Sequence, residues 1–279
     1  MSEVLETLAM LSVLVFVISS MLSMGLSLTT KQIVDPLKDM KLVALTLVAN
    51  FVIVPLIAYA LALILSLDES LSIGLILISM AAGAPFLPKL VEVAKGNTAV
   101  SVGLMVLLMV VTIVYLPLVL PLVVTGVEVN PLDIARSLII MMLIPLAIGL
   151  FIKARYEDAA EKIRPTFASA SNIAILVLIV LGVVLNFESM IALIGSKGLL
   201  AAALFIVGAL IAGYLLGGKD RSIKSVMALG TGQRNISAAL VVAAQNFDSD
   251  VITFVLVFAV IGFIVLFPAA GELGKRSEG

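Results

Sequence analysis

Two interruptions decide how this chain folds: Gly83-Ala84-Pro85-Phe86-Leu87-Pro88, running into Lys89, and Gly230-Thr231-Gly232-Gln233-Arg234-Asn235. Each falls inside a long apolar stretch and sits beside a cation. Proline lacks the N–H that a helix interior needs, and glycine relaxes the backbone, so both stretches read as helices broken in the middle. A charge at membrane depth costs about 3 kcal/mol or more, so Lys89 and Arg234 are expected to face a partner, a cavity or a substrate path. Paired broken helices of this kind imply a transporter with its binding site near the bilayer midplane.

The surrounding sequence fits a bilayer. Of its 279 residues, 62% are hydrophobic and 13% charged. Soluble domains carry about 25% charged residues, so an all-α integral membrane protein is expected. The chain has no Cys and no His, which removes disulfides, thiolate sites, ordinary zinc chemistry and Ser–His catalysis. The net charge of −1 carries no information on partners, because the charges are sorted by side. The partners expected are the lipid bilayer and a small organic anion, with no nucleic acid. Glu3 and Glu6 precede the first apolar run without any Lys or Arg, so a cleaved signal peptide is not expected.

A span needs about 20 apolar residues. That rule gives nine: 7–28, 42–66, 71–94, 98–125, 134–152, 167–187, 199–217, 222–246 and 251–269. Alternate loops on one side then hold thirteen of the seventeen cations, from Lys31, Lys38 and Lys41 through to Lys275 and Arg276. The other side holds Arg136 and Lys197, and the remaining two are Lys89 and Arg234, beside the interruptions. Positive residues mark the cytoplasmic face, which predicts a multi-pass cell-membrane protein with its N-terminus outside and its C-terminus inside.

Phe51-Val-Ile-Val-Pro-Leu-Ile-Ala-Tyr59 in the second span resembles Phe205-Ile-Val-Gly-Ala-Leu-Ile-Ala-Gly-Tyr214 in the seventh. Met80-Ala-Ala-Gly83 likewise resembles Met227-Ala-Leu-Gly230, each opening an interruption. Related spans lie five apart, an odd number, so the two copies insert with opposite orientation. A single transmembrane domain follows: repeat 1 over 7–125, a linker helix over 134–152 and repeat 2 over 167–269. The half-helices after the breaks begin near Lys89 and Asn235, and such N-termini favour anions. Lys89 and Arg234 strengthen that preference, and Glu92, one turn on, offsets part of it.

Thr231, Gln233 and Asn235 complete the candidate set at the second break. Plainer readings stand beside these. Lys89 lies six residues before Lys95, about 9 Å along a helix, within range of snorkelling or of a simple pair with Glu92. Arg234 is more central, and its alternative is a structural tie to carbonyls freed by the breaks. Gln233 and Asn235 are open to the same backbone-satisfying role, and Asn50 and Ser101 to joining helices.

At these residues the chain resembles the bile acid:sodium symporter family. The matches are Met21-Leu-Ser-Met-Gly-Leu-Ser-Leu-Thr29, Asn50-Phe-Val-Ile-Val-Pro55, Ala94-Lys-Gly-Asn-Thr-Ala-Val-Ser101 and Gly232-Gln-Arg-Asn-Ile-Ser-Ala-Ala-Leu240. They run in family order over nearly the whole chain. The resemblance implies a panel and a core, with two broken helices crossing in the core, and sodium-coupled uptake of an organic anion. It places Asn50, Gln233 and Ser101 on sodium-ligand positions, so Asn50 and Gln233 are the candidates for a residual sodium site. Leu87-Pro88, Met105 and Leu229 stand where the family has oxygen-bearing residues. Hard cations want several oxygens, so the resemblance leads to two expectations: a sodium symporter with degraded ligands, or a proton-coupled or uncoupled carboxylate carrier in which the Lys89 ammonium replaces the ion. Efflux by a carrier of related fold is a further reading. Catalysis is not expected, because every Asp lies in or beside a loop and no Ser precedes Lys89 within reach. No cofactor beyond a coupling ion is expected.

Overall fold

The computed structural model describes residues 2–124, 130–185 and 196–277, and every regular element among them is a helix. Apart from two short turns of helix, Thr30–Val34 and Asp35–Lys38, these are in chain order α1 (Ser2–Ser27), α2 (Met40–Leu65), α3 (Glu69–Met80), α4 (Leu87–Val93), α5 (Thr98–Val123) and α6 (Pro131–Arg155). There follow α7 (Glu157–Leu185), α8 (Gly198–Leu216), α9 (Arg221–Gly232), α10 (Ile236–Asn246) and α11 (Ser249–Ser277). Among the described residues six segments are long and apolar enough to cross a membrane: Thr7–Ser27, Met40–Leu65, Thr98–Val123, Pro131–Arg155, Gly198–Leu216 and Ser249–Arg276. Leu56, Ile64, Leu118, Leu122 and Leu215 are exposed on their outer faces, a surface suited to lipid rather than water.

The two expected interruptions are real breaks. The predicted span 71–94 is α3 and α4 separated by residues 81–86, and 222–246 is α9 and α10 separated by residues 233–235. Polar side chains set where helices begin. Asp68, Asn97, Asp220 and Asn235 each accept a backbone N–H of the first turn that follows, which satisfies donors with no partner inside the helix. The predicted ends at 125 and 186–187 lie outside the described residues.

Proline shapes α2 in a way that matters for the site. Pro55 can neither donate to the Phe51 carbonyl nor fit under it. The chain answers with a wider, π-type turn over Ala49–Ile53, and the freed Phe51 carbonyl accepts the Tyr115 hydroxyl at 2.7 Å. Residue 50 sits in this turn with its side chain wholly buried. Pro145 in α6 is likewise preceded by a wide turn, Ile139–Leu143.

Helices α1, α6 and α7 pack on one another. At the α1–α6 contact a Cβ on Gly25 would lie 2.4 Å from the Leu146 carbonyl oxygen, so only glycine lets these backbones meet. Helices α2, α3, α8, α9 and α11 form a second group. Phe205, Phe254 and Phe258 fill its interior with ring centroids 5.7 and 6.4 Å apart. Both breaks lie in this second group, facing α1 and α7.

Candidate functional site

A broken helix leaves carbonyls without their usual donors, and at depth each must find another. The carbonyls around the first break find theirs on distant parts of the chain. Ser79 O accepts Arg234 Nη1 at 2.9 Å, and Ala81 O accepts the Asn235 backbone N–H at 2.8 Å. Gly83 O accepts Asn235 Nδ2 at 3.0 Å. The Thr112 hydroxyl of α5 donates to Ala82 O at 3.1 Å and accepts the Ala82 N–H at 3.0 Å. The two breaks therefore cross in contact, held chiefly by Arg234 and Asn235.

Asn235 has a double role. Its Oδ1 caps α10 by accepting the Ala238 N–H, and its Nδ2 holds the opposite break. Arg234 is 3% exposed. Its Nε donates to Gln233 O at 3.1 Å, Nη1 to Ser79 O, and Nη2 to Asn50 Oδ1. Asn50 is oriented by its own Nδ2, which donates to Thr46 O at 3.0 Å. Every partner of the guanidinium is a neutral oxygen. Among the described residues no carboxylate compensates its charge.

A cavity of about 600 Å³ runs from this crossing outward between α1, α7 and α11. Its inner end is lined by Gln233, Arg234 and Ser237, and its outer end by exposed Lys89, Glu92 and Arg164. The walls are Phe16, Met24, Ile175 and Phe263, interrupted by Ser20, Ser23 and Ser27 on one face of α1 and by Ser171 and Asn172 on α7. Gln233 Oε1 is buried at this cavity with no hydrogen-bond partner. Such a chamber is mostly apolar with a few convergent polar groups and a cation at its base, the usual character of a small-molecule site.

The remaining candidates fall elsewhere. The Lys89 ammonium is not at the crossing; it pairs with Glu92 Oε2 at 2.8 Å, with side chains 61% and 62% exposed. The reason is spacing: the two residues are three apart on α4, and holding the pair in solvent costs little. Arg234 is thus the cation at the crossing, and the sodium-replacing role expected of Lys89 finds no geometric support. Helix α4 has seven residues and no side-chain cap, so of the two half-helices only α10 presents a well-formed N-terminus. Ser101 is buried, and its hydroxyl donates to Thr98 O at 2.7 Å. Thr231 Oγ1 is buried without a partner and lies against Gly213 of α8. Replacement of Lys89 by Ala is expected to change stability by no more than about 1 kcal/mol, as for other exposed ion pairs; thermal unfolding followed by circular dichroism measures it.

Ser79, Thr112, the α1 serines and Asn172 were not among the sequence candidates. Ser20, Ser23 and Ser27 share the i, i+3, i+7 spacing of one helix face, a legible signal. Ser79 acts only through its carbonyl and leaves none.

An all-helical bundle with long apolar spans and a chamber ending at two crossed helix breaks defines an integral membrane transporter. The description of the family whose model matches residues 14–193 is sodium bile acid symporter family; the chain belongs to it. Over 236 residues it is 26% identical to the uncharacterized sodium-dependent transporter YocS of Bacillus subtilis, covering 82% of this chain and 72% of that one. It is 23% identical to the probable sodium/metabolite cotransporter BASS1, chloroplastic, of Arabidopsis thaliana, covering 82% of this chain and 58% of the plant protein. It is also 23% identical to the probable sodium/metabolite cotransporter BASS2, chloroplastic, of Oryza sativa subsp. japonica, covering 83% of this chain and 56% of that protein. The chain thus spans little more than half the length of the plant relatives.

Proposed function

We propose that the protein carries an amphipathic organic anion across the cell membrane by alternating access. The observation that carries this reading is the buried, uncompensated Arg234 guanidinium at the base of an apolar-walled chamber of about 600 Å³. A guanidinium has five N–H donors, and three are used within the protein. Two remain for a carboxylate, and the unpartnered Gln233 Oε1 offers an acceptor to a hydroxyl or amide on the same ligand. The apolar walls favour a ligand with a hydrocarbon body, at about 25 cal/mol for each Å² of apolar surface removed from water.

In this reading α1, α6 and α7 are the panel, and the group containing both breaks is the core that moves against it. The inverted repeat (7–125 and 167–269 around the 134–152 linker) supplies nine spans, with the crossing at the midplane. The chamber's mouth carries Lys89 and Arg164; Arg164 belongs to the cation-rich, cytoplasmic set of loops, so in this reading the conformation is inward-facing. A coupling ion is the expectation carried over from relatives named as sodium-dependent.

The test is uptake of labelled cholate, octanoate and pyruvate into proteoliposomes containing the full chain. Saturable uptake of at least one, favouring the amphipathic pair over pyruvate and greatly reduced in Arg234→Gln, is expected. No saturable uptake or binding of any of the three contradicts the reading.

A further inference from the structure

We propose that the Arg234 guanidinium is a fixed cation built into the crossing, so that the transported anion travels without a sodium ion. The proposal rests on the anion-carrier reading above and settles what that reading leaves open, the coupling.

The oxygens at the crossing are of the kind a hard cation takes: main-chain carbonyls and a side-chain amide. A sodium or calcium site is normally assembled from several such oxygens at short range. Here Ser79 O, Gln233 O and Asn50 Oδ1 are all spent on one guanidinium. Ala81 O and Gly83 O are spent on Asn235, and Ala82 O on Thr112. Each of these oxygens is thus already taken, and the unpartnered Gln233 Oε1 beside them is alone too few for a hard cation, which wants several. Among the described residues, the buried polar and charged side chains include no Asp and no Glu, so no anionic ligand compensates a second cation placed beside Arg234. A dissolved sodium ion at about 4 Å from the guanidinium would meet repulsion of about 4 kcal/mol even at an effective dielectric constant of 20.

The same census bears on protons. The buried set offers no carboxylate, histidine or lysine to carry one. The charged groups along the chamber are Arg234 at its base and Lys89, Glu92 and Arg164 at its mouth. Glu92 is the only carboxylate among these chamber residues, and it is exposed and paired with Lys89.

A consequence follows for direction. A fixed cation reorients with the protein and returns, contributing nothing to net charge over a cycle. Each monovalent anion then moves one negative charge. Membrane potential acts on an elementary charge with about 2.3 kcal/mol per 100 mV, so an inside-negative potential of about 100 mV sustains about a fifty-fold excess of the anion outside the cell. The relatives' printed names describe sodium-dependent transport; this chain would instead release its anion from the cell down the electrical gradient.

The test uses the purified full chain, with thermal unfolding followed by circular dichroism, because the sequence has no Trp for fluorescence. Midpoints are compared in sodium chloride and choline chloride at matched ionic strength and pH. A ligand that binds the native state raises the midpoint in a saturable way. The wild type is expected to show the same midpoint in both salts; a saturable, sodium-specific rise overturns the proposal. Arg234→Gln, which returns oxygens to the crossing, is expected to acquire a sodium-dependent rise absent from the wild type. A folded variant as indifferent to sodium as the wild type also overturns it. Should the variant not fold, the wild-type comparison decides alone. Carriage of a labelled probe with sodium stabilisation defeats the fixed cation but not the carrier; indifference to sodium with no probe carried does the reverse.

Discussion

Replacing Gly83 by alanine is expected to remove about 5 kcal/mol of stability, comparable with the whole stability of many domains. Two effects add. Gly83 has φ +79°, in the region L-residues rarely occupy, at a cost of about 1–2 kcal/mol. Its Cβ would also lie 2.2 Å from Met109 N, 2.6 Å from Met109 Cα and 2.7 Å from Met105 O. These are backbone atoms of α5, so no side chain can rotate out of the way. Moving α5 back would strain the Thr112 bonds to Ala82, one turn along the same helix. Moving the break instead would strain the Asn235 bond to Gly83 O. Each such bond, left unmade when buried, costs about 1–3 kcal/mol.

Two other glycines separate the contributions. Gly218 has φ +74° with nothing near its Cβ position, so Gly218→Ala reports backbone strain alone. Gly271 has open space and no unusual φ, so Gly271→Ala is expected to be neutral or slightly stabilising. Chemical or thermal unfolding of the three variants gives the comparison. A Gly83→Ala protein within about 1 kcal/mol of wild type would show that the crossing is not held as described.

The second large effect is functional. Asn50→Asp is expected to leave the protein folded and to abolish anion binding. The aspartate would sit where Asn50 Oδ1 now accepts Arg234 Nη2, turning a neutral acceptor into a charged one while keeping the tie. The ion pair offsets only part of the bond that Asn50 Nδ2 now donates to Thr46 O, which a carboxylate cannot make, so a loss of about 1–3 kcal/mol accompanies the substitution. The charge at the base of the chamber, however, falls from +1 to zero. A carboxylate about 5 Å from an uncompensated guanidinium gains about 3 kcal/mol at an effective dielectric constant of 20, so affinity should drop on the order of 100-fold. Asn50→Ala behaves differently: it leaves a guanidinium N–H unpaired and loses stability. Equilibrium binding of cholate and octanoate to the folded Asn50→Asp protein measures the effect, and retained binding would remove Arg234 from the anion site.

The breaks were legible because proline and glycine act locally: Gly83, Pro85 and Pro88 fall together in one short stretch, whereas the isolated Pro117 and Pro121 lie inside α5 without breaking it. The long apolar spans were legible for the same reason, since hydrocarbon thickness dictates their length. How the breaks meet was not. Arg234 and Ser79 are 155 residues apart, and the acceptor is a main-chain carbonyl present at every position. Lys89 and Arg234 looked alike in sequence, each a cation beside an interruption. The difference lies in where each helix places them: Lys89 follows its break on a short rim helix with an acid one turn away, whereas Arg234 lies within its break at full depth. The wide turn at Ala49–Ile53 shows the same limit. Pro55 announces a disturbance, but not that it carries Asn50 to the guanidinium.

The most direct measurement is efflux of a labelled anion, using whichever of cholate, octanoate and pyruvate is carried, from sodium-free proteoliposomes with an imposed potassium–valinomycin potential. Efflux accelerated by an inside-negative potential without sodium on either side, and abolished by Asn50→Asp, is the expected result. Flux that ignores the potential and appears only when sodium is supplied with the anion would contradict the fixed-cation carrier.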